Sequence, residues 1–297
     1  MSVLKRLRSL IPDLRHDSEF WRKAARWGAV NGPDKFIRYS PPLIGWGWAL
    51  ALPAFRKRVA QSLRLAGGTG SPLEVARVFS TYALSLTESF AIGSGRNERL
   101  TAEIVGDASF QEARALGRGV IVATAHTSGW YAAGPILSSV YEDEILVVMQ
   151  HERDGRAESV QQEARDKLGL KVVFAGQDPL AAMPLLAHLR RGGIVALQMD
   201  RVPEGQRGIE VSLAGAPFVV PEGPIQLAGA SGAPIIVVLG RRVAFLQYEI
   251  RVGQMVTIPR RPSREAVTSA AREIAGHIER FVREHPTDRF HFSAVPR

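Results

Sequence analysis

The chain contains no cysteine. Disulfides and thiolate metal sites are therefore excluded, which fits a cytosol-facing protein. His151 and His188 have no partner at metal-ligand spacing, so neither a metal nor a cofactor is expected. Acidic residues are scarce at the N-terminus: residues 1–64 hold 13 Lys/Arg against 4 Asp/Glu, whereas residues 65–297 hold 25 of each. A nucleic-acid enzyme more often carries its basic charge on the catalytic body. A basic head on a neutral body fits docking on an anionic surface, so a membrane and not nucleic acid is the expected partner. Lysine is rare too, at 6 against 32 arginines, which suits bidentate phosphate contacts and equally reflects genome composition.

Aromatic residues make up only 7% of the chain, yet Trp21, Trp27, Trp46 and Trp48 all fall in the basic segment. Tryptophan favours the membrane–water interface, where both its apolar ring and its N–H are satisfied. Packing of these rings on the body is the alternative. From Ser18 to Val30 the spacing predicts a helix, with Phe20, Trp21, Ala24, Trp27 and Gly28 on one face and Arg22, Lys23 and Arg26 on the other. Residues 39–55 carry no charge. As a straight helix they would reach about 26 Å at about 1.5 Å per residue, slightly short of a hydrocarbon core of about 30 Å. Pro41, Pro42 and Pro53 are expected to limit that helix, which predicts an interfacial or dipping hairpin, with a true span as the other option. Arg56, Lys57 and Arg58 follow and suit lipid phosphates. No apolar run near Met1 is long enough for a cleavable signal peptide.

Residues 61–92 read as helix, and Gly93-Ser94-Gly95 marks a boundary. The expected organisation is a helical, membrane-associating region over 1–95 and an α/β catalytic region over 96–297. In the latter, strand-like runs at 119–125, 145–150, 171–174, 193–199, 209–213, 234–240 and 245–252 alternate with helical stretches at 130–141, 155–169, 179–191, 223–231 and 264–285. Several strands are continuously apolar, which implies burial on both sheet faces. The predicted fold is α/β, a mainly parallel central sheet flanked by helices.

Within this pattern His126 follows the apolar run Gly119–Ala125 and precedes Thr127-Ser128-Gly129-Trp130. Ligands of such sheets sit beyond the C-terminal strand ends, so a histidine there is a candidate general base. Asp200 holds a comparable position after another strand.

The segment Gly119-Val-Ile-Val-Ala-Thr-Ala-His-Thr-Ser-Gly-Trp130 resembles the first motif of the late acyltransferases of bacterial lipid A biosynthesis, in the lysophospholipid acyltransferase superfamily. Gly192-Gly193 through Asp200-Arg201, Arg207-Gly208, Pro221-Glu-Gly-Pro224 and Gly232-Ala-Pro234 are similar to its second conserved region in order and spacing. Arg165 resembles an intermediate Arg-containing motif, and His285-Pro286 with Phe290-His291-Phe292 resembles the aromatic tail. Each motif is loose alone; their ordered combination is specific and covers nearly the whole chain. The resemblance implies acyl transfer from acyl carrier protein or coenzyme A to a hydroxyl of a membrane lipid, at the cytoplasmic face of the bacterial inner membrane. It also implies that the histidine is general base and that an acidic residue five positions later orients it.

That acidic residue is absent. Tyr131 stands there, neutral at pH 7 and a poor stabiliser of imidazolium. Asp200 is set aside as a replacement, because its motif already has a counterpart in the family. The catalytic candidates are thus His126 and Tyr131. Thr127, Ser128, Gly129, Trp130, Arg165, Asp200, Arg201, Arg207, Gly208 and Gly223 are candidates for substrate binding. For 127–129 the suggested role is hydroxyls and N–H groups near an oxyanion, the alternative an ordinary helix cap. Trp21, Trp27, Trp46, Trp48, Arg56, Lys57 and Arg58 are expected at the membrane. Two other functions fit the same residues: binding of lipid or acyl carrier without turnover, motivated by Tyr131, and an esterase or thioesterase with water as acceptor.

Overall fold

The computed structural model describes residues 19–96, 99–130, 132–134, 136, 144–150, 171–174 and 182–290. Tyr131, Arg165, the helix expected at 155–169 and the tail beyond Phe290 lie outside the described residues.

Four helices come first: α1 (Glu19–Asn31), α2 (Asp34–Ala51), α3 (Pro53–Leu65) and α4 (Pro72–Gly93). Two expectations are corrected here. The single helix expected over 61–92 is broken by Gly67–Gly70, where Gly67 and Gly70 take positive φ. Ser71 then caps α4 by accepting from Glu74 N at 3.3 Å, and Glu74 accepts in return from Gly70 N at 2.7 Å. In the stretch 39–55, where a hairpin was expected, α2 runs unbroken to Ala51 with Pro41 and Pro42 inside it, and the break comes only at Leu52, before Pro53 opens α3. The buried face of α2 carries Ile37, Pro41, Gly45 and Ala49, and at Gly45 it packs closely on α4. A Cβ at Gly45 would lie 2.6 Å from Phe79 O, so only glycine permits this approach. Tertiary contact thus offsets the two N–H groups that proline removes.

The outward face of α2 reverses the usual order. Phe36, Tyr39, Leu43, Trp46 and Leu50 are all exposed, Leu43 at 71% and Leu50 at 75%. Their spacing of three and four residues forms one stripe. Among the described residues no helix is long and apolar enough to cross a membrane.

The α/β part follows in the order β1 (Thr101–Val105), α5 (Asp107–Ala115), β2 (Val120–Thr124), β3 (Ile145–Met149), β4 (Lys171–Phe174), α6 (Met183–Arg190) and β5 (Ile194–Gln198). Then come β6 (Gly208–Leu213), β7 (Ala216–Pro221), α7 (Glu222–Ser231), β8 (Ile235–Ala244), β9 (Gln247–Val256) and α8 (Arg264–Glu284). Seven strands form one sheet in the order β1-β9-β8-β2-β5-β3-β4. Every neighbouring pair is parallel except β8 and β9. The fold is therefore α/β, with a mainly parallel central sheet flanked by helices. The strand expected at 209–213 does not join this sheet: β6 pairs with β7 in a separate hairpin, its six-residue antiparallel register closed by the turn at Ala214-Gly215.

The continuous apolar runs mean what they predicted. Ile121 and Ala123 of β2 enter one core with Val195 and Leu197 of β5 and α8 residues such as Ile274 and Phe281. Val120 and Val122 enter the opposite core with Ile194, Ala196 and Phe110 of α5. The sheet is buried on both faces, and polar groups appear only where its central strands end.

Candidate active site

Those strand ends bring the site together. β2 and β5 are adjacent and parallel, with Thr124 opposite Gln198. Met199 N donates to Thr124 O at 2.7 Å and continues the ladder past both strands. Two residues beyond the paired positions lie His126 and Asp200. Alternation puts both on the side of the sheet already occupied by Val122 and Ala196.

The two side chains are hydrogen-bonded. His126 Nδ1 lies 2.7 Å from Asp200 Oδ1, and His126 N donates to Asp200 Oδ2 at 3.2 Å. The carboxylate holds the histidine by ring and backbone together. Asp200's side chain is fully buried, whereas His126's is 27% exposed. Burial alone would raise the Asp200 carboxyl. The charge of His126, the hydrogen bond to it, and then Arg201 and Arg289 reverse this and hold it well below the usual carboxylate range. An ionised carboxylate only accepts, so in neutral imidazole the proton sits on Nδ1 and the lone pair on Nε2. That is the tautomer a general base requires.

On sequence Asp200 stands among the substrate-binding candidates and is set aside as a partner for His126; the structure sets its carboxylate against the His126 ring. It is the acidic partner of His126, supplied by an adjacent strand 74 residues away.

The turn after His126 is held from three directions. Ser128 N donates to Asp288 O at 2.8 Å, Gly129 N to Gly240 O at 3.0 Å, and Thr127 N to Ala125 O at 2.8 Å. Ser128 Oγ donates to Asp288 Oδ1 and accepts from Arg242 N at 2.9 Å, while Ser85 Oγ of α4 donates to Ser128 O. A Cβ on Gly129 would lie 2.4 Å from Gly240 C, so glycine is required where the turn meets β8. The oxyanion role suggested for these N–H groups meets a physical obstacle, because each already donates within the protein. Thr127 and Ser128 are both fully buried. Within this turn the buried Thr127 hydroxyl has no partner among the described residues.

Among the other candidates, Arg201 adjoins the pair and donates from a terminal nitrogen to Phe290 O at 2.6 Å. Trp130 is half-buried and packs on the core beneath α5. Arg207 projects into solvent, 85% exposed, 3.5 Å from Glu222. Gly208 begins β6, where a Cβ would strike Val219 and Val202. Gly223 is exposed in the first turn of α7. Of the membrane candidates, Trp27 is 68% and Trp46 50% exposed, whereas Trp48 is half-buried with its ring edge-on to Trp21. Lys57 is exposed, and Arg56 and Arg58 are half-buried, Arg58 lying over the Phe55 ring.

Arg289 was not singled out by the sequence, although it lies within the tail whose His285-Pro286 and Phe290 were. The segment after α8 returns along the His126 turn: Thr127 bridges Arg289, and Phe290 N donates to His126 O at 2.7 Å. This brings Arg289 beside Asp200. Gln198 was also unassigned, although its place two residues before Asp200 on one strand indicates a shared face. Among the described residues, no cluster of His, Asp and Glu could hold a metal ion.

The sequence model of one family, bacterial lipid A biosynthesis acyltransferase, matches residues 75–293. The match spans α4, the whole sheet and the returning C-terminal segment, so it includes His126, Asp200 and Arg289. Among curated proteins, none matches the chain.

Proposed function

Because the chain belongs to the bacterial lipid A biosynthesis acyltransferase family, we propose that it moves a fatty acyl group from an acyl thioester to a hydroxyl of a lipid or glycolipid, with His126 as general base. The donor is acyl carrier protein or acyl-coenzyme A. In this reading His126 Nε2 takes the acceptor's hydroxyl proton as the oxygen attacks the thioester carbonyl. The C–O bond forms and the carbonyl becomes an oxyanion. Collapse of that intermediate breaks the C–S bond, and the imidazolium returns its proton to the departing thiolate. Asp200 steadies the imidazolium between the two transfers.

The observation that carries this reading is the 2.7 Å contact between His126 Nδ1 and a buried, ionised Asp200. Tyr131 motivated binding without turnover, and the carboxylate supplied by β5 favours catalysis instead. The test is acyl transfer from acyl carrier protein and from acyl-coenzyme A to a lipid acceptor, with wild type and His126→Ala. Loss of about 10²- to 10⁴-fold is expected, the usual range for removing a positioned base. Full transfer by the variant sinks the mechanism, and release of free fatty acid without acceptor makes the protein a thioesterase.

We further propose that α1 and α2 seat the protein on the cytoplasmic face of the inner membrane. The stripe from Phe36 to Leu50 supplies exposed apolar bulk, the surrounding segment is basic, and among the described residues no helix is long and apolar enough to span a membrane. Full burial of side chains this size is worth about 1.5–3 kcal/mol each. Sedimentation with phosphatidylglycerol-containing vesicles should therefore weaken about tenfold or more in Leu43→Ser/Trp46→Ser/Leu50→Ser. Unchanged sedimentation rules this surface out.

A further inference from the structure

The neighbourhood of the His126–Asp200 pair holds several polar groups without partners. Among the described residues five enclosed polar side-chain atoms lack a hydrogen-bond partner. Four of them belong to Thr127, Gln198, Arg201 and Arg289, the residues that surround this pair, and the fifth to His285. Arg289 is the most exceptional. Its residue is only 8% exposed. Its Nε is enclosed and has no hydrogen-bond partner among the described residues, and its guanidinium lies over the Phe218 ring, 5.7 Å from the centroid. Asp200 acts on it electrostatically, but both Asp200 oxygens are already engaged by His126. Burial correspondingly disfavours the charged form of Arg289, with Asp200 opposing that effect and Arg201 adding to it.

Leaving a buried arginine N–H without an acceptor costs stability, so it persists where a ligand supplies the acceptor. We propose that Arg289, together with Arg201 and Gln198, forms an anion site beside His126 that receives a phosphoryl group of the substrate. Two guanidinium groups and a carboxamide present an array of N–H donors suited to the tetrahedral oxygens of a phosphate, and no group among them competes as an acceptor for those oxygens except the Gln198 carbonyl. The inference rests on the acyltransfer reading for what the phosphoryl group belongs to, either the donor's pantetheine arm or the acceptor's headgroup. The anion site itself is testable without turnover.

The experiment uses the full chain and inorganic phosphate as probe. Thermal unfolding is followed with increasing phosphate, with chloride at matched ionic strength, for wild type, Arg289→Met, Arg289→Lys and the exposed-arginine control Arg272→Met. Wild type and Arg272→Met should gain Tm with phosphate, Arg289→Lys should gain less, and Arg289→Met should gain nothing. Without phosphate, Arg289→Met should unfold at or above the wild-type Tm, because it removes a buried N–H that lacks an acceptor; a marked drop assigns Arg289 a structural role and overturns the proposal. Absence of a phosphate-specific gain in wild type, or an equal gain in Arg289→Met, also overturns it. Steady-state kinetics of Arg289→Lys then identify the source: a raised KM for the acyl donor alone places the phosphoryl group on the donor, and a raised KM for the acceptor alone places it on the acceptor. A fall in kcat with both KM values unchanged assigns Arg289 to the transient oxyanion and overturns the phosphoryl site. An inactive wild type that still shows the Arg289-dependent gain keeps the anion site while the acyltransfer reading fails.

Discussion

Asp200→Asn should lower acyl transfer by about 10³- to 10⁴-fold, approaching the effect of removing His126 itself. Replacing the buried carboxylate of a His–Asp pair by an amide costs on the order of 10⁴ in serine proteases, because the amide supports the wrong tautomer and does not balance imidazolium. The geometry here is of the same kind, with Nδ1 at 2.7 Å from a fully buried carboxylate. Asp200→Asn/His126→Ala should be no slower than His126→Ala alone, since residues acting as one unit are non-additive. The sign of the pH dependence follows from the depressed Asp200 carboxyl. Its contribution to stability is fully present above the unfolded value of about 3.9 and is lost only as pH falls through its lower folded value. Loss of rate on mild acidification is therefore not protonation of Asp200. Transfer by Asp200→Asn within about tenfold of wild type, measured on folded protein, would show that this pair is not the catalytic one.

Glu88→Ala should cost about 3–5 kcal/mol of folding stability, the range for breaking a buried ion pair from one side. Glu88 lies on α4 with a fully buried side chain. It accepts from Arg242 Nε at 2.8 Å on β8 and from the Tyr248 hydroxyl on β9. The arginine is only 14% exposed, so removing the carboxylate strands its charge. Burial pushes the Glu88 carboxyl up, and Arg242 and Tyr248 only partly offset this. The folded state therefore holds this proton more tightly than the unfolded chain. Only the proton-linked part of its contribution varies with pH: that part is fully present below the unfolded carboxylate value and is lost as pH rises through the folded one, whereas the stranding of Arg242 and Tyr248 in Glu88→Ala remains at neutral pH. Urea denaturation at neutral pH measures the effect, and Glu88→Gln, which retains shape and one acceptor, should be less damaging. A loss below about 0.5 kcal/mol, the level of an ordinary surface change, would mean that α4 is not anchored by this pair. The same contact matters for the site, because Ser85, one turn earlier on α4, holds the turn that carries His126.

Much of this was legible in the sequence because it is local. The apolar run before His126 sets a buried strand, and small residues after it set a turn, so the base candidate is readable within a dozen positions. The order of loose motifs then pointed to the family that the chain belongs to. The basic, tryptophan-bearing head is a matter of composition and needs no fold to be seen. The face of α2 was not legible in this way. Hydrophobic periodicity predicts that bulky residues turn inward. Here the bulky stripe faces out while the buried face, Ile37, Pro41, Gly45 and Ala49, includes a glycine because the helices approach too closely at Gly45 for a Cβ.

By itself, then, the sequence determined an α/β chain, a histidine at a strand end and the absence of a carboxylate five residues later. Only the tertiary structure decided that the absence is made good. The chain passes through β3 and β4 before β5 returns to lie against β2, and parallel register sets Asp200 level with His126. The C-terminal segment then adds Arg289 across the same turn. Neither partner has a fixed sequence distance from His126: hydrogen-bonded strand neighbours are chosen by sheet order, and sheet order is a property of the whole packed chain.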